Sequence, residues 1–192
     1  MDLSKRLSKI SHSLSVNSVK NYSNPYSTIV WPETIPDDAL CFSPEIISIS
    51  ELPEFKALTE EQMLKLALYE AVNFFSLNIS GERELISGLS KRLYKNYPKN
   101  VTEYIHHFLD EENKHMIWFG TFSEKYGKKI YPDKKINFPR EYAKGEEDFL
   151  FFAKIVIFEE IVDYFNVYMA KDERLDPLVR QIHQQHLSLI HI

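Results

Sequence analysis

The sequence has little cysteine, no long apolar run and no excess of basic residues. Its single cysteine, Cys41, excludes an internal disulfide framework and fits a reducing compartment. No apolar stretch approaches the roughly 18 residues that a membrane span needs, so we expect a soluble, cytoplasmic protein. The formal net charge of -5 gives no sign of a surface that binds nucleic acid. These absences favour a protein whose partners are small molecules.

The composition allows one packed domain, since 44% of the 192 residues are hydrophobic and 14% are aromatic. No alternating pattern is strong enough to predict a sheet, and no repeat has the period of a solenoid. Four stretches instead have the helical period, beginning near Thr59, Val101, Phe149 and Pro177. The first is long enough for one helix or for two in series. The sequence therefore predicts an all-α fold.

The residues before the first of these stretches have a different texture. Residues 1–58 contain five prolines and no sustained helical period. We therefore expect residues 1–58 to form an irregular segment that wraps the core, and residues 59–192 to form the helical domain.

Acidic residues interrupt the most apolar of the predicted helices. Glu159 and Glu160 lie in "FLFFAKIVIFEEIVDYF", where a buried carboxylate must be paired, neutralised or bound to a metal. Both have mostly apolar neighbours one helical turn away, so the helical phase does not choose between them.

In the first helix the phase is more informative. Glu82 has apolar residues at most of its helical neighbour positions, whereas the neighbours of Glu84 are small or charged. The pattern therefore predicts that Glu82 points inward and Glu84 outward. Glu70 also lies on an apolar stripe and is a rival candidate.

A Glu-x-x-His motif follows in the second helix, at Glu112 and His115. This spacing places a carboxylate and an imidazole one turn apart, so both can reach one divalent ion. The motif alone is weak evidence, because an acid beside a core histidine is common. In four-helix di-iron proteins, however, two helices supply one Glu each and the other two supply Glu-x-x-His. Together, the acids and this motif favour a four-helix di-iron bundle.

The register of the helices favours Glu82 over Glu70 as the candidate on the first helix. Ligands on antiparallel helices must lie at one level, and Glu82 comes 16 residues before Pro98 while Glu112 comes 14 after it. At roughly 1.5 Å per residue the two are level to within about one turn, whereas Glu70 would lie roughly 20 Å too far along the axis. Around the turn at 172–173, Glu159 and His186 are likewise equidistant.

Three of these stretches resemble the AurF-like p-aminobenzoate N-oxygenase family of di-iron oxygenases: "GERELISGL", "HHFLDEENKHMIWFG" and "FLFFAKIVIFEEIVDYFNVYMAKDERLDPLVRQIHQQH". The resemblance spans about residues 60–186. It implies a ferritin-like helical core with two iron ions, dioxygen as co-substrate and N-oxygenation of an aromatic amine. It also implies an electron-donating reductase, and we consider a homodimer possible.

Transferred by position, the resemblance implies a set of metal ligands on all four helices: Glu82, Glu112, His115, Glu159 and His186. We further expect three nearby residues to pack against this set or hydrogen-bond its histidines: Asp163, His107 and Glu111, with Asp110 as an alternative to Glu111.

The sequence departs from the family after His186. The family continues as His-x-x-x-Glu-x-x-His, but position 190 is Ile190 and the last histidine would fall beyond the chain. The final "LSLIHI" is the in-frame translation of CTGTCTCTTATACACATC, an adapter of transposon-based sequencing libraries. We therefore expect residues 187–192 to be non-native and the domain to be incomplete. The alternatives are a metal-binding bundle without oxygenase activity and an inactive truncated fragment.

Overall fold

A computed structural model describes residues 3–133 and 141–190, with side chains up to residue 187. The helices are α1 (Leu3–Lys20), α2 (Pro53–Lys56), α3 (Glu60–Ser90), α4 (Lys99–Lys125), α5 (Glu146–Lys171) and α6 (Pro177–Ile190), with a 3-10 turn at Pro44–Ile46. Within these ranges there is no strand, which confirms the predicted all-α fold. None of the described helices has both the length and the apolar character needed to cross a bilayer.

Local sequence signals set the ends of the helices. Thr59 caps α3 through a reciprocal pair of hydrogen bonds with Gln62, each backbone N–H donating to the other side chain. Pro98 precedes α4, where its missing N–H removes no helical hydrogen bond. Gly145 precedes α5 with a φ of 81°, a left-handed conformation that favours glycine. Since α3 is continuous, the first predicted stretch is one helix.

Helices α3 to α6 form a four-helix bundle of the ferritin-like kind. Short connections make α3 and α4 neighbours, and likewise α5 and α6. Contacts between α3 and α5 and between α4 and α6 join the two pairs.

The core of the bundle contains two hydrophobic clusters. The larger includes Phe75 of α3, whose ring stacks on Phe119 of α4 at a centroid distance of 5.0 Å. The smaller consists of four buried residues: Leu85, Leu89, Val101 and Ile105. Glu82 lies on α3 between Phe75 and Leu85, so a polar layer separates the two clusters.

The prediction of an irregular segment over residues 1–58 is wrong for residues 3–20, which form α1. This helix packs on α4 and buries three serines: Ser11, Ser15 and Ser18. Because hydroxyl side chains rather than apolar ones form its inner face, the sequence shows no apolar period from which the helix could be predicted.

The segment between α1 and α3 lies across the bundle and is fixed by hydrogen bonds to its backbone. Trp118 Nε1–H donates to the carbonyl of Pro25 at 3.1 Å, and the Tyr126 hydroxyl donates to that of Pro32 at 2.7 Å. The segment also contributes buried apolar side chains, among them Ile29 and Phe42, to the larger cluster. The predicted domain boundary at 58–59 stays a prediction.

Candidate metal centre

The structure brings the five predicted ligands together in the polar layer. Glu82, His115 and His186 are fully buried, and Glu112 is 2% exposed. Glu159 is partly buried, and both of its carboxylate oxygens are shielded from solvent. One residue comes from α3, two from α4, one from α5 and one from α6, so the site depends on all four helices of the bundle.

Two histidines meet one carboxylate in the first group of potential ligands. His115 Nδ1 and His186 Nε2 each lie 3.6 Å from Glu82 Oε1, and the two imidazole centroids are 4.2 Å apart. One ligand atom from each residue lies within 4.8 Å of the other two. This spacing allows the three side chains to bind a common cation.

A second group consists of carboxylates alone. Glu82, Glu112 and Glu159 each offer an oxygen within 4.8 Å of the other two. Glu82 belongs to both groups, so it could contribute a ligand to a cation in either.

Several of these atoms lack the hydrogen bonds that buried polar groups normally make. Among the described residues, neither oxygen of Glu82 and neither oxygen of Glu159 has a hydrogen-bond partner. Burying carboxylates in this way is costly unless a cation or proton compensates them. Three carboxylates and two imidazoles are donors suited to divalent iron, so the residues present fit the metal that the resemblance implies.

The pKa values reflect the crowding of acids in a buried site. Burial and the charge of Glu82 raise the pKa of Glu112 to about 7. Burial and the charges of Glu82 and Glu112 raise the pKa of Glu159 to about 9. Burial acts to lower the pKa of His115, but its carboxylate neighbours, Glu112 foremost, outweigh burial and raise it to about 10. Without a cation, the layer therefore retains protons at neutral pH.

The choice between the two acids of α5 follows from their positions. The carboxylate of Glu159 faces the polar layer, whereas Glu160 is exposed and lines an open surface groove. Phe158 packs so closely against α3 that a Cβ on Gly81 would overlap its ring. Since Gly81 precedes Glu82 and Phe158 precedes Glu159, this contact lies beside two potential ligands.

A residue not predicted from the sequence links the histidines of α6. Asn166 is fully buried, and its Oδ1 lies 2.5 Å from His183 Nδ1 while its Nδ2 lies 3.0 Å from His186 Nδ1. Asn166 thus makes the kind of outer contact with a ligand histidine that was predicted for Asp163, and the role of Asp163 stays a prediction. Asn166 follows Glu159 by seven residues, two helical turns, and a polar amide at that spacing on an apolar helix was the available signal.

The structure contradicts the predicted role of Glu111, whereas the role of His107 stays a prediction. Glu111 accepts a hydrogen bond from the Ser18 hydroxyl at 2.7 Å and pairs with Lys114 at 3.2 Å, so it faces α1. His107 lines a recess beside α1, together with Ser18. Asp110 also pairs with Lys114, at 2.7 Å. Glu111 therefore links α4 to α1 instead of supporting a ligand histidine.

The predicted non-native tail, residues 187–192, remains a prediction. Leu187 is partly buried, but the side chains of residues 188–192, Ile190 included, lie outside the described part of the chain.

One comparison with known proteins gives a match. The model of the family described as "P-aminobenzoate N-oxygenase AurF" matches residues 4–188, a range that includes all five potential ligands. No curated protein sequence and no solved structure matches the chain significantly.

Proposed function

The chain belongs to the p-aminobenzoate N-oxygenase AurF family, and on this basis we propose that it is a non-haem di-iron oxygenase that N-oxygenates a small aromatic amine with dioxygen. The observation that supports the proposal most strongly is the pair of buried ligand groups that share Glu82. A site for one structural ion would need only one such group.

Five side chains would hold the iron: Glu82, Glu112, His115, Glu159 and His186. Iron bound there would supply the one-electron chemistry that dioxygen activation requires. The protein contributes orientation and the exclusion of water. Phe75 and Leu85 belong to the hydrophobic clusters on either side of the polar layer, so the ligands lie between two apolar regions.

The same residues control protons at the site. His115 Nδ1 and Glu112 Oε2 share a hydrogen bond of 3.0 Å, and that proton must leave before both atoms can bind a cation. The reductase, the cytoplasmic location and the possible homodimer are parts of the same proposal and await their own tests.

The test compares two acids of α3. Glu82 is buried in both ligand groups, whereas Glu84 is exposed on the same helix. We expect the wild-type chain and E84Q to bind two Fe(II) per chain and, with a chemical reductant and dioxygen, to convert p-aminobenzoate to N-oxidised products. We expect E82Q to lose both properties. Iron binding is measured by metal analysis and product by mass spectrometry; a wild-type chain that binds no iron would refute the proposal.

One observation favours a metal-binding bundle without oxygenase activity as the second candidate. Among the described residues, His186 is the only residue of α6 in either ligand group. Because the two groups also share Glu82, the polar layer could hold a single ion. One Fe(II) per chain and no product from any arylamine would support this candidate, or an inactive fragment. Two Fe(II) with product would exclude both.

A further inference from the structure

One amide connects two buried histidines of α6. Asn166, His183 and His186 are all fully buried. Asn166 contacts Nδ1 of His183 with its carbonyl oxygen, at 2.5 Å, and Nδ1 of His186 with its NH2 group, at 3.0 Å. The contacts form a chain that runs from His183 through Asn166 to a potential metal ligand.

The amide forces the two imidazoles into opposite protonation patterns. One end of an amide only accepts hydrogen bonds and the other only donates them. In the arrangement observed, His183 therefore carries a proton on Nδ1, and His186 has a bare Nδ1. The neutral ring of His186 then carries its proton on Nε2, the nitrogen that lies 3.6 Å from Glu82 Oε1.

A cation bound by His186 Nε2 is incompatible with this pattern. Metals bind the lone pair of a neutral imidazole, and the other ring nitrogen then carries the proton and donates it to an acceptor. His186 Nδ1 would become a donor, but it faces the NH2 group of Asn166, which is itself a donor. For the contact between Asn166 and a metal-bound His186 to persist, the amide must therefore present its oxygen to Nδ1.

We propose that Asn166 is a positioning residue whose amide turns over when the site takes up a metal, so that His183 and His186 exchange tautomers. The inference rests on the proposed function, because it requires His186 to be a ligand. Rotation by about 180° about the Cβ–Cγ bond exchanges the oxygen and nitrogen without moving α5.

The exchange conserves protons. Before metal uptake His183 carries its proton on Nδ1 and His186 on Nε2; afterwards His186 carries one on Nδ1 and His183 one on Nε2. No hydrogen bond opposes the change at His183, because its Nε2 has no hydrogen-bond partner among the described residues. The ring of Phe75 lies beside that imidazole, at a centroid distance of 5.3 Å.

The test reads the tautomers directly. The chain is labelled with ¹⁵N-histidine, and the ring nitrogens are followed by NMR with and without Zn(II), a diamagnetic probe. Without zinc we expect His183 protonated on Nδ1 and His186 on Nε2; with zinc we expect both assignments to be reversed. If zinc shifts His115 and His186 but His183 keeps its tautomer, the exchange is refuted and metal binding stands. If zinc shifts neither His115 nor His186, both proposals fail.

Two variants separate positioning from mere packing. In N166D a carboxylate accepts from both Nδ1 atoms, so we expect both histidines to be protonated on Nδ1 without zinc as well as with it. N166L cannot accept a hydrogen bond, and loss of such an outer contact typically weakens metal binding about 10- to 100-fold. We expect this loss in N166L and none in N166D. Unchanged tautomers in metal-free N166D, or zinc binding by folded N166L as tight as wild type, would overturn the proposal.

Discussion

His115 Nδ1 lies 3.0 Å from Glu112 Oε2, so a shared proton joins two of the five potential metal ligands. The contact raises the pKa of His115 to about 10, against the lowering effect of burial. Metal binding at this site would therefore exchange protons for a cation.

Metal binding should strengthen with increasing pH. The pKa values of Glu112, Glu159 and His115 are raised to about 7, 9 and 10, so the metal-free protein holds protons at neutral pH that must be released. From about pH 6 to about pH 8 we expect the Zn(II) affinity to rise about tenfold per pH unit for each proton released. Calorimetry in buffers of different ionisation enthalpy measures the release. An affinity independent of pH would contradict the prediction.

Helical phase and register were sufficient to predict the positions of Glu82 and Glu112 in the site. Apolar neighbours indicated that Glu82 points inward, and its distance from Pro98 placed it level with Glu112; both features are seen in the structure. Glu70, excluded by register, is in neither ligand group. These inferences succeeded because the buried face of α3 is apolar and the connection to α4 is short.

On α5 the same reasoning could not decide between Glu159 and Glu160. This helix exposes several large apolar residues, including Val156 at 60% and Ile157 at 62%, so apolar neighbours do not mark its buried face. On α1 the converse holds, because serines form the buried face. Both cases show that composition around a residue predicts burial only where the helix is amphipathic in the usual sense.

Gly81 should be intolerant of a side chain. A Cβ there would overlap the ring of Phe158, which packs from α5 beside both Glu82 and Glu159. We expect G81A to lower the free energy of unfolding by about 1–3 kcal/mol, the usual cost of overpacking. It should also weaken Zn(II) binding, because the helices that carry the two carboxylates move apart. Denaturant unfolding and zinc titration measure the two effects.

Gly120 provides the matched control, because nothing lies within 4 Å of a Cβ built there. G120A should leave zinc binding unchanged and stabilise α4 by about 0.5–1 kcal/mol. In the double variant G81A/F158V the smaller side chain should restore part of the lost affinity. Equal zinc affinity in G81A and the wild type would show that this contact does not set the ligand spacing.

An ionic cluster at the α5–α6 turn should stabilise the fold above acidic pH. Arg174, foremost among several contacts, lowers the pKa of Asp172 to about 2, and the Ser43 hydroxyl donates to the same carboxylate at 2.7 Å. Because the pKa is depressed in the folded state, this stabilisation is complete above the ordinary value of 3.8 and is lost as the pH falls towards 2. D172N should cost about 2 kcal/mol at neutral pH.

The pH dependence distinguishes charge from packing in this variant. The difference between D172N and the wild type should shrink as the pH falls below about 4. The exposed pair of Lys56 and Glu51 is the control, and E51Q should change stability by less than about 0.5 kcal/mol. A D172N deficit that persists unchanged at low pH would mean that shape, not ionisation, matters at this position.

Lys114 should hold α1 on the bundle. Its ammonium group is buried, pairs with Asp110 at 2.7 Å and Glu111 at 3.2 Å, and lies 4.2 Å from the centre of the Tyr22 ring. K114M removes the cation that pairs with Glu111. The carboxylate of Glu111, whose side chain is 9% exposed, then keeps the hydroxyl of Ser18 as a hydrogen-bond donor. We expect a loss of about 3 kcal/mol, because an uncompensated charge is then buried.

Removing the charge of Glu111 as well tests whether that buried charge causes the loss of stability in K114M. In K114M/E111Q no buried charge remains at that position, so we expect most of the lost stability to return. K56M removes an exposed cation and should cost less than about 0.5 kcal/mol. Hydrogen exchange locates the effect: in K114M the amides of α1 should lose protection before those of α3, since Glu111 of this network bonds to Ser18 of α1. Protection of α1 at the wild-type level would show that the buried serines alone suffice to hold the helix.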